Sequence, residues 1–396
     1  MASEPKLTGL GKLAVLLFVV GCLAGGIYLF ISGGKDRPDG PSASPNTTAN
    51  KTADPEMTTV GIAYGTEKKR WLLWAAEEFK KTEAGKNISL DLIPMGSLEG
   101  AHAVLDQDKR IHVWSPASAV YEDVFVRDWQ VRHGGDPIVS SEPLALSPMV
   151  FITWRNRLTA FEQGIGPMNL ENIRKAILTQ GGWGGIAQKP EWGYFKYGHT
   201  NPTESNSGML ALVLSAYHYH DKLDQLTLED IVDPGYQEWF RSLATGVTGL
   251  SNSTGNMMKE MVLKGPSTFD SVLVYENVAI DFLKNAEGRW GELAVVYPGK
   301  NMWNENPYYI LNVPWSGEAE REGAQSFLNF LLSEPIQKQA ILHGFRPANP
   351  AVSLKGTDSP FINYGNYGVK LDLPSVCAPP KAEVITNLLT GWKRTR

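Results

Sequence analysis

Small side chains bearing hydroxyls and amides recur in this chain where an extended stretch gives way to a helical one. The largest group is Gly198-His199-Thr200-Asn201-Pro202-Thr203-Glu204-Ser205-Asn206-Ser207-Gly208, which runs into the apolar stretch Met209-Leu210-Ala211-Leu212-Val213-Leu214. That order reads as a loop feeding a helix, with Trp192 to Tyr197 as the strand before it. Thr, Ser and Asn there stand where a first helical turn leaves backbone N–H groups unsatisfied. They can cap those donors or turn toward a guest, and the partial positive charge of the turn favours a carboxylate or oxyanion. Glu204 opposes an anion unless it points away. Taken alone the stretch reads as an ordinary N-cap, so a binding role depends on other loops of the same kind.

Three shorter turns repeat the pattern. Tyr64-Gly65-Thr66-Glu67 follows the alternating stretch Thr58 to Ala63, and Pro94-Met95-Gly96-Ser97 follows Ile88 to Ile93. Ser115-Pro116-Ala117-Ser118 follows Ile111 to Trp114. Each turn leads into a helical segment: Lys68 to Lys81, with Trp71, Leu72, Trp74, Ala75 and Phe79 on one face, then Leu98 to Leu105, then Val120 to Trp129. Strands alternating with helices predict a parallel α/β sheet with right-handed crossovers. Ligands of such open sheets sit beyond the carboxyl ends of the strands, where all three turns fall.

Other chemistries lack their residues. No Gly-x-Ser-x-Gly elbow, His-Glu-x-x-His or Cys-x-x-Cys occurs among 396 residues. The seven histidines are dispersed, and His218 and His220, two apart, point to different helix faces. His199 alone lies beside the candidate loop and reads as a hydrogen-bonded structural histidine; the residual enzymatic reading pairs it with Glu204 as acid and base. The sequence therefore predicts a protein that is not an enzyme and uses no cofactor or metal. Gly181-Gly182-Trp183-Gly184-Gly185 lacks the strand-to-helix setting of a dinucleotide fingerprint and reads as a flexible surface loop. A net charge of −5 with scattered Lys and Arg disfavours nucleic acid as a partner.

Leu13 to Ile31 is uncharged and mostly apolar, long enough to span a bilayer, and follows Lys6 and Lys12. This predicts an N-terminal transmembrane helix within residues 1–35, with the rest of the chain extracytoplasmic. A lipidated Cys22 after Val19-Val20-Gly21 and a cleaved signal are the alternatives; the anchor is preferred because Leu23 to Ile31 stays apolar. Residues 36–57, rich in Pro, Ser, Thr, Asn and Ala, read as a flexible linker. With only Cys22 and Cys377 present, no disulfide framework is available.

Downstream, Leu144 to Ile152 reads as extended, and Leu170 to Leu178, Leu226 to Ile231, Tyr236 to Leu243 and Thr254 to Lys264 as helices. Phe269 to Asn277 reads as a strand turning into the helix Val278 to Leu283. Strands at Leu293 to Tyr297 and Tyr308 to Val313 precede helices at Glu318 to Leu332 and Pro335 to Leu342, with a late helix at Ala382 to Trp392.

The phrases Thr66-Glu67-Lys68-Lys69, Ile93-Pro94-Met95-Gly96-Ser97, Trp114-Ser115-Pro116-Ala117-Ser118, Phe195 to Gly208, Tyr275-Glu276-Asn277 and Gly344-Phe345-Arg346-Pro347-Ala348-Asn349-Pro350 come in order over Thr58 to Pro350. Together they resemble the type II extracellular solute-binding proteins of ABC importers, in the molybdate- and sulfate-binding-like group. The resemblance implies a two-lobe fold with a cleft between the lobes. Residues 58–143 and 293–396 would form the first lobe and 144–292 the second, with Ser147 and Tyr297 near the hinge. Carried over by position, ligand contacts would come from Gly65, Thr66, Ser97, Ser115 and Ser118 on one side and Ser147, Ser205, Asn206, Ser207 and Tyr275 on the other.

Glu67, Glu204 and Glu276 lie in or beside these loops and would repel a dianion unless paired or turned outward. Arg346 is either an anion partner or a structural residue pinning the last crossing loop. The function implied is a membrane-anchored, extracytoplasmic solute-binding protein, in the periplasm or extracellular space, that captures a small polar or anionic solute for an ABC permease. The alternative is a sensor or assembly module of the same fold that contacts another membrane protein.

Overall fold

The computed structural model describes residues 57–286, 289–373 and 375–395. The expected anchor, and the linker before residue 57, lie outside the described residues; among the described residues no helix is long and apolar enough to cross a membrane.

Three βα steps open the fold. Strands β1 (Thr58–Gly65), β2 (Ile88–Met95) and β3 (Val113–Ser115) alternate with helices α1 (Lys69–Phe79), α2 (Ser97–Leu105) and α3 (Glu122–His133). β1 pairs in parallel with β2 on one side and β3 on the other, as the alternation predicts. The chain then supplies β4 (Ile138–Pro143), which carries little apolar alternation and was not legible as a strand. A later strand, β11 (Pro307–Leu311), inserts antiparallel between β3 and β4, giving the order β2-β1-β3-β11-β4. The first sheet is thus mixed rather than parallel throughout, because β11 returns from the second half and inserts antiparallel between β3 and β4.

The second sheet is built on one long strand, β5 (Ala145–Trp154). Its nearly continuous burial explains the unbroken apolar run in the sequence. β7 (Ser271–Tyr275), β8 (Leu293–Val296), β10 (Trp303–Asn304) and β12 (Arg346–Pro347) all pair with it antiparallel, and β6 (Tyr197–Gly198) joins β7 in parallel. A small strand, β9 (Lys300–Asn301), pairs in parallel with β13 (Ser375–Val376). Helices α4 (Asn206–Tyr219), α5 (Thr254–Lys264) and α6 (Glu276–Ala286) cover this half; α7 (Glu318–Leu331) packs on β1, and α8 (Ala382–Thr395) ends the described chain.

One apolar cluster, including Val60, Ile62, Trp71, Phe79, Phe327 and Leu331, fills the side of the first sheet covered by α1 and α7. A larger one runs from Ala63, Leu98 and Trp114 through the second half to Trp392. α4 is buried almost all round, consistent with its uniformly apolar sequence.

Three expectations need correction. Trp192 to Tyr197 is not a strand: Pro190–Trp192 forms a helical turn, and only Tyr197–Gly198 pairs. Gly181 to Gly185 is not an open loop, because Trp183 is fully buried at the start of a short helix, Trp183–Ala187, and packs against Trp192 and Phe195. Residues 293–396 do not all belong with the first sheet. β8 pairs in the second, and α8 packs on α4 and on the helix Leu228–Val232, because its face Val384, Ile385, Leu388 and Trp392 must be buried and finds its apolar partners there.

Candidate functional site

The register of the first sheet places its three turns side by side. Gly65 lies opposite Met95, and Tyr64 opposite both Pro94 and Ser115, so Gly65-Thr66, Gly96-Ser97 and Ser115 to Ser118 emerge from one edge. Facing them are the start of α4 at Asn206, the end of β7 at Tyr275, the start of α6 at Asn277, and Ser147 on β5. A Cβ placed on Gly96 would lie 2.5 Å from the Glu204 carbonyl oxygen, so the backbones of the two sides approach as closely as glycine allows.

The hydrogen bonds Ser118 to Asn206 and Asn277 to Glu67 cross this seam, and others tie the second side together. Ser118 Oγ donates to Asn206 Oδ1 (2.9 Å), and Asn206 Nδ2 donates to the Tyr275 hydroxyl (3.1 Å) and to Asn304 Oδ1 (3.1 Å). Ser147 Oγ donates to Asn277 Oδ1 (3.0 Å) and accepts from the Asn277 backbone N–H (3.1 Å). Asn277 Nδ2 in turn reaches across to the Glu67 carbonyl (3.1 Å). Ser118, Ser147, Asn206, Tyr275 and Asn277 are all essentially inaccessible to solvent.

The remaining predicted residues divide. Ser207 Oγ bonds with Thr200 and Thr254 (both 2.7 Å) and with Ser205 (3.3 Å), a hydroxyl cluster behind the Asn206 contact. Ser97 serves its own side, accepting from the Ala117 N–H (3.0 Å). Ser115 Oγ is fully buried and has no hydrogen-bond partner among the described residues. Gly65 is buried and Thr66 half-buried beside Glu67. The turns therefore do converge, but their polar groups are engaged mostly with one another.

Several residues of the seam were missed as contacts. Lys68 is wholly buried; its Nζ donates to Glu67 Oε1 (2.6 Å), the Pro116 carbonyl (3.0 Å) and Asn306 Oδ1 (3.1 Å). Burial lowers the ammonium pKa, and Glu67 works against that shift. Asn306 Nδ2 donates to the carbonyls of Ala145 (2.9 Å) and Asn304 (3.0 Å), and Asn304 Nδ2 to that of Ser147 (2.7 Å). Lys68 and Asn277 lay within the recognised motif phrases. Asn304 and Asn306 had only their alternate spacing between two strands as a signal. Burial also pushes the Tyr275 hydroxyl pKa well up, with Glu67 adding to the effect, so it remains a neutral donor and acceptor.

The acidic residues that argued against a dianion are partly neutralised. Glu67 pairs with Lys68, and Glu276, fully buried, takes a bidentate pair from Arg346 (2.8 Å to each carboxylate oxygen) and a hydrogen bond from the Tyr297 hydroxyl. Arg346 also donates to the carbonyls of Lys370 (2.7 Å) and Leu371 (2.5 Å), which makes it the structural pin of the crossing segment. Burial pushes the Glu276 carboxyl up, opposed by Arg346; for Arg346, bonding to Glu276 outweighs burial and holds the guanidinium charged. Glu204 instead lines a rim cavity with Glu99, His102, Thr203 and Asn252. His199 is buried, donates from Nδ1 to the Thr200 carbonyl (2.7 Å) and packs against Trp392, as a structural histidine does. Among the described residues no group of three or more His, Cys, Asp or Glu could hold a metal ion.

A family profile described as bacterial extracellular solute-binding protein matches residues 60–346. The fold is similar to that of the sulfate-binding protein of Mycobacterium tuberculosis (14% identity, TM-score 0.55, covering 81% of this chain and 93% of that one). It is similar as well to a periplasmic thiamin-binding protein (14%, TM-score 0.57, 89% and 99%). A third likeness is to a periplasmic binding protein of Actinobacillus pleuropneumoniae with fructose-6-phosphate bound (12%, TM-score 0.58, 85% and 98%). No curated protein matches the chain in sequence.

Proposed function

The chain belongs to the bacterial extracellular solute-binding protein family, and on that premise we propose that it captures one small polar solute between its two halves and presents it to an ABC importer. The observation that carries this reading is the convergence of small polar turns from two sides, Gly65-Thr66, Gly96-Ser97 and Ser115 to Ser118 against Asn206, Tyr275 and Asn277, which touch at Ser118–Asn206 and Asn277–Glu67. A guest would enter by parting these contacts and replacing them. Its binding energy, larger in the closed than in the open form, would then drive closure.

The groups to be replaced narrow the guest. Amides of Asn206 and Asn277, the hydroxyls of Ser118, Ser147 and Tyr275, and the unpartnered Ser115 Oγ offer donors and acceptors in similar number. Among the described residues the buried ammonium at the seam is that of Lys68, and it is paired with Glu67. A neutral or zwitterionic polar solute suits this set better than a dianion, which would meet the Glu67 carboxylate with no free cation. Calorimetric titration against panels of sugars, amino acids, amines and oxyanions tests the proposal: binding by a neutral or zwitterionic member, lost in Asn206→Ala, is the expected result. Binding confined to dianions would overturn the solute class, and no binding by any panel member would overturn solute capture.

The apolar N-terminal segment supports membrane tethering with the solute-binding unit outside the cytoplasm. Mass spectrometry of the purified chain should find an intact N-terminus; a start at a lipidated Cys22 would replace the anchor with a lipoprotein. One observation favours the second reading, a sensor or assembly module. Groups of the two sides bond directly to one another, as they would in a cleft that no longer takes a guest. Co-purification separates the two, since a receptor brings down permease components and a module brings down other membrane proteins.

A further inference from the structure

The family match ends at residue 346, and the chain beyond it does not trail away. It runs along the second half, past the hinge, and back to the first. Asn366 offers its carbonyl to Arg155 (2.8 Å), and Gly368 approaches β8 so closely that a Cβ there would sit 2.2 Å from the Val295 carbonyl oxygen. At the hinge, Lys370 and Leu371 accept from Arg346, and the Lys370 N–H donates to the Tyr297 hydroxyl (3.1 Å). Ser375–Val376 then pairs with β9, the Cys377 N–H donates to the Asn301 carbonyl (2.7 Å), and Ala378 is bonded to both Leu223 (2.8 Å) and Tyr217 (2.7 Å).

Helix α8 completes the path. It buries Val384, Ile385, Leu388 and Trp392, and lies against α4 and Leu228–Val232 of the second half. The same helix also meets the turn Ala119–Tyr121 and α3 of the first half, immediately after the Ser115 to Ser118 loop. One continuous segment therefore touches the hinge, the second half, and the part of the first half that carries a seam turn.

We infer that this C-terminal segment is a built-in strap that holds the two halves closed without a solute. Separating the halves must strip α8 from either the Ala119–Tyr121 turn or α4, exposing its apolar face to water. The seam hydrogen bonds, neutral and exchangeable with water, add comparatively little net resistance to opening. A guest that parts the seam must work against the strap, so the strap adds a cost to the proposed solute capture, and its test uses no solute so that the two fail separately.

The test compares the full chain with the double variant Leu388→Ala/Trp392→Ala and with a chain ended after Lys381, following solution X-ray scattering and amide hydrogen exchange without added solute. Loosening the strap should increase the radius of gyration. It should also speed exchange at residues 96–98 and 205–208 by tenfold or more, with β1 and β7 unchanged. Should the shortened chain fail to fold, the double variant decides. Unchanged seam exchange and scattering in a folded variant would overturn the strap, as would equal acceleration in the seam and the sheets, which would make α8 ordinary core.

Discussion

Glu276 and Asn277 are neighbours at the start of one helix, yet they anchor polar clusters of opposite design. Glu276 is held by a bidentate guanidinium and a tyrosine hydroxyl, all buried, with the guanidinium further tied to two backbone carbonyls. Asn277 joins a network of neutral amides and hydroxyls linked by single hydrogen bonds. Removing one partner of a buried ion pair strands a charge and typically costs about 3–5 kcal/mol. A neutral hydrogen bond exchanged for water costs about 1 kcal/mol net. The first arrangement suits contacts that must persist; of the second, the Asn277–Glu67 bond is the one that would part under the proposed solute capture.

Breaking the Glu276–Arg346 cluster should have the largest effect. Arg346→Leu should lower the unfolding free energy by about 3–5 kcal/mol in urea titration; a loss under about 1 kcal/mol would mean that Glu276 is not sustained by this pair. Asp281, on the same helix, is an intermediate case. It pairs with the mostly exposed Arg70 (3.2 Å), while burial, opposed by Arg70, raises its pKa from 3.8 to about 6. The folded chain then holds this proton more tightly than the unfolded one between those values. Stability from this group is greatest at the acid end and is lost as pH rises through about 6, by on the order of 3 kcal/mol. Asp281→Asn should flatten that part of the stability-versus-pH curve, and an unchanged slope would assign it to other groups.

The seam should respond most weakly in stability and most visibly in binding. Asn206→Ala, which removes three side-chain hydrogen bonds, should cost about 1–3 kcal/mol in unfolding and weaken the solute identified by titration tenfold or more. Ser118→Ala should cost about 1 kcal/mol or less. If Ser118→Ala destabilised the fold as much as Arg346→Leu, the contrast between the charged and the neutral cluster would fail.

Much of the fold was legible because its signals are local. The helices at Leu170–Leu178 and Thr254–Lys264 match their periodicity exactly, and the three βα steps follow from alternation alone. The motif phrases placed the seam turns, yet they passed over Lys68 as a buried cation, because a lysine after a strand ordinarily reaches solvent. Asn304 and Asn306 were invisible for a different reason: their partners at Ser147 and Ala145 are about 160 residues away in sequence. Trp183 shows the converse, since its flanking glycines announced a loop while aromatic neighbours drew it into the core.

Residue order alone determined the family, the βα alternation, and which turns carry small polar groups, because strand and helix periodicity and motif spacing are written within a few residues. Only the tertiary structure decided that those groups bond to one another across the seam, that Arg346 serves Glu276, and that the last helix returns to the second half. Each of these depends on which distant surfaces bury together, and burial sets whether a polar group needs an internal partner.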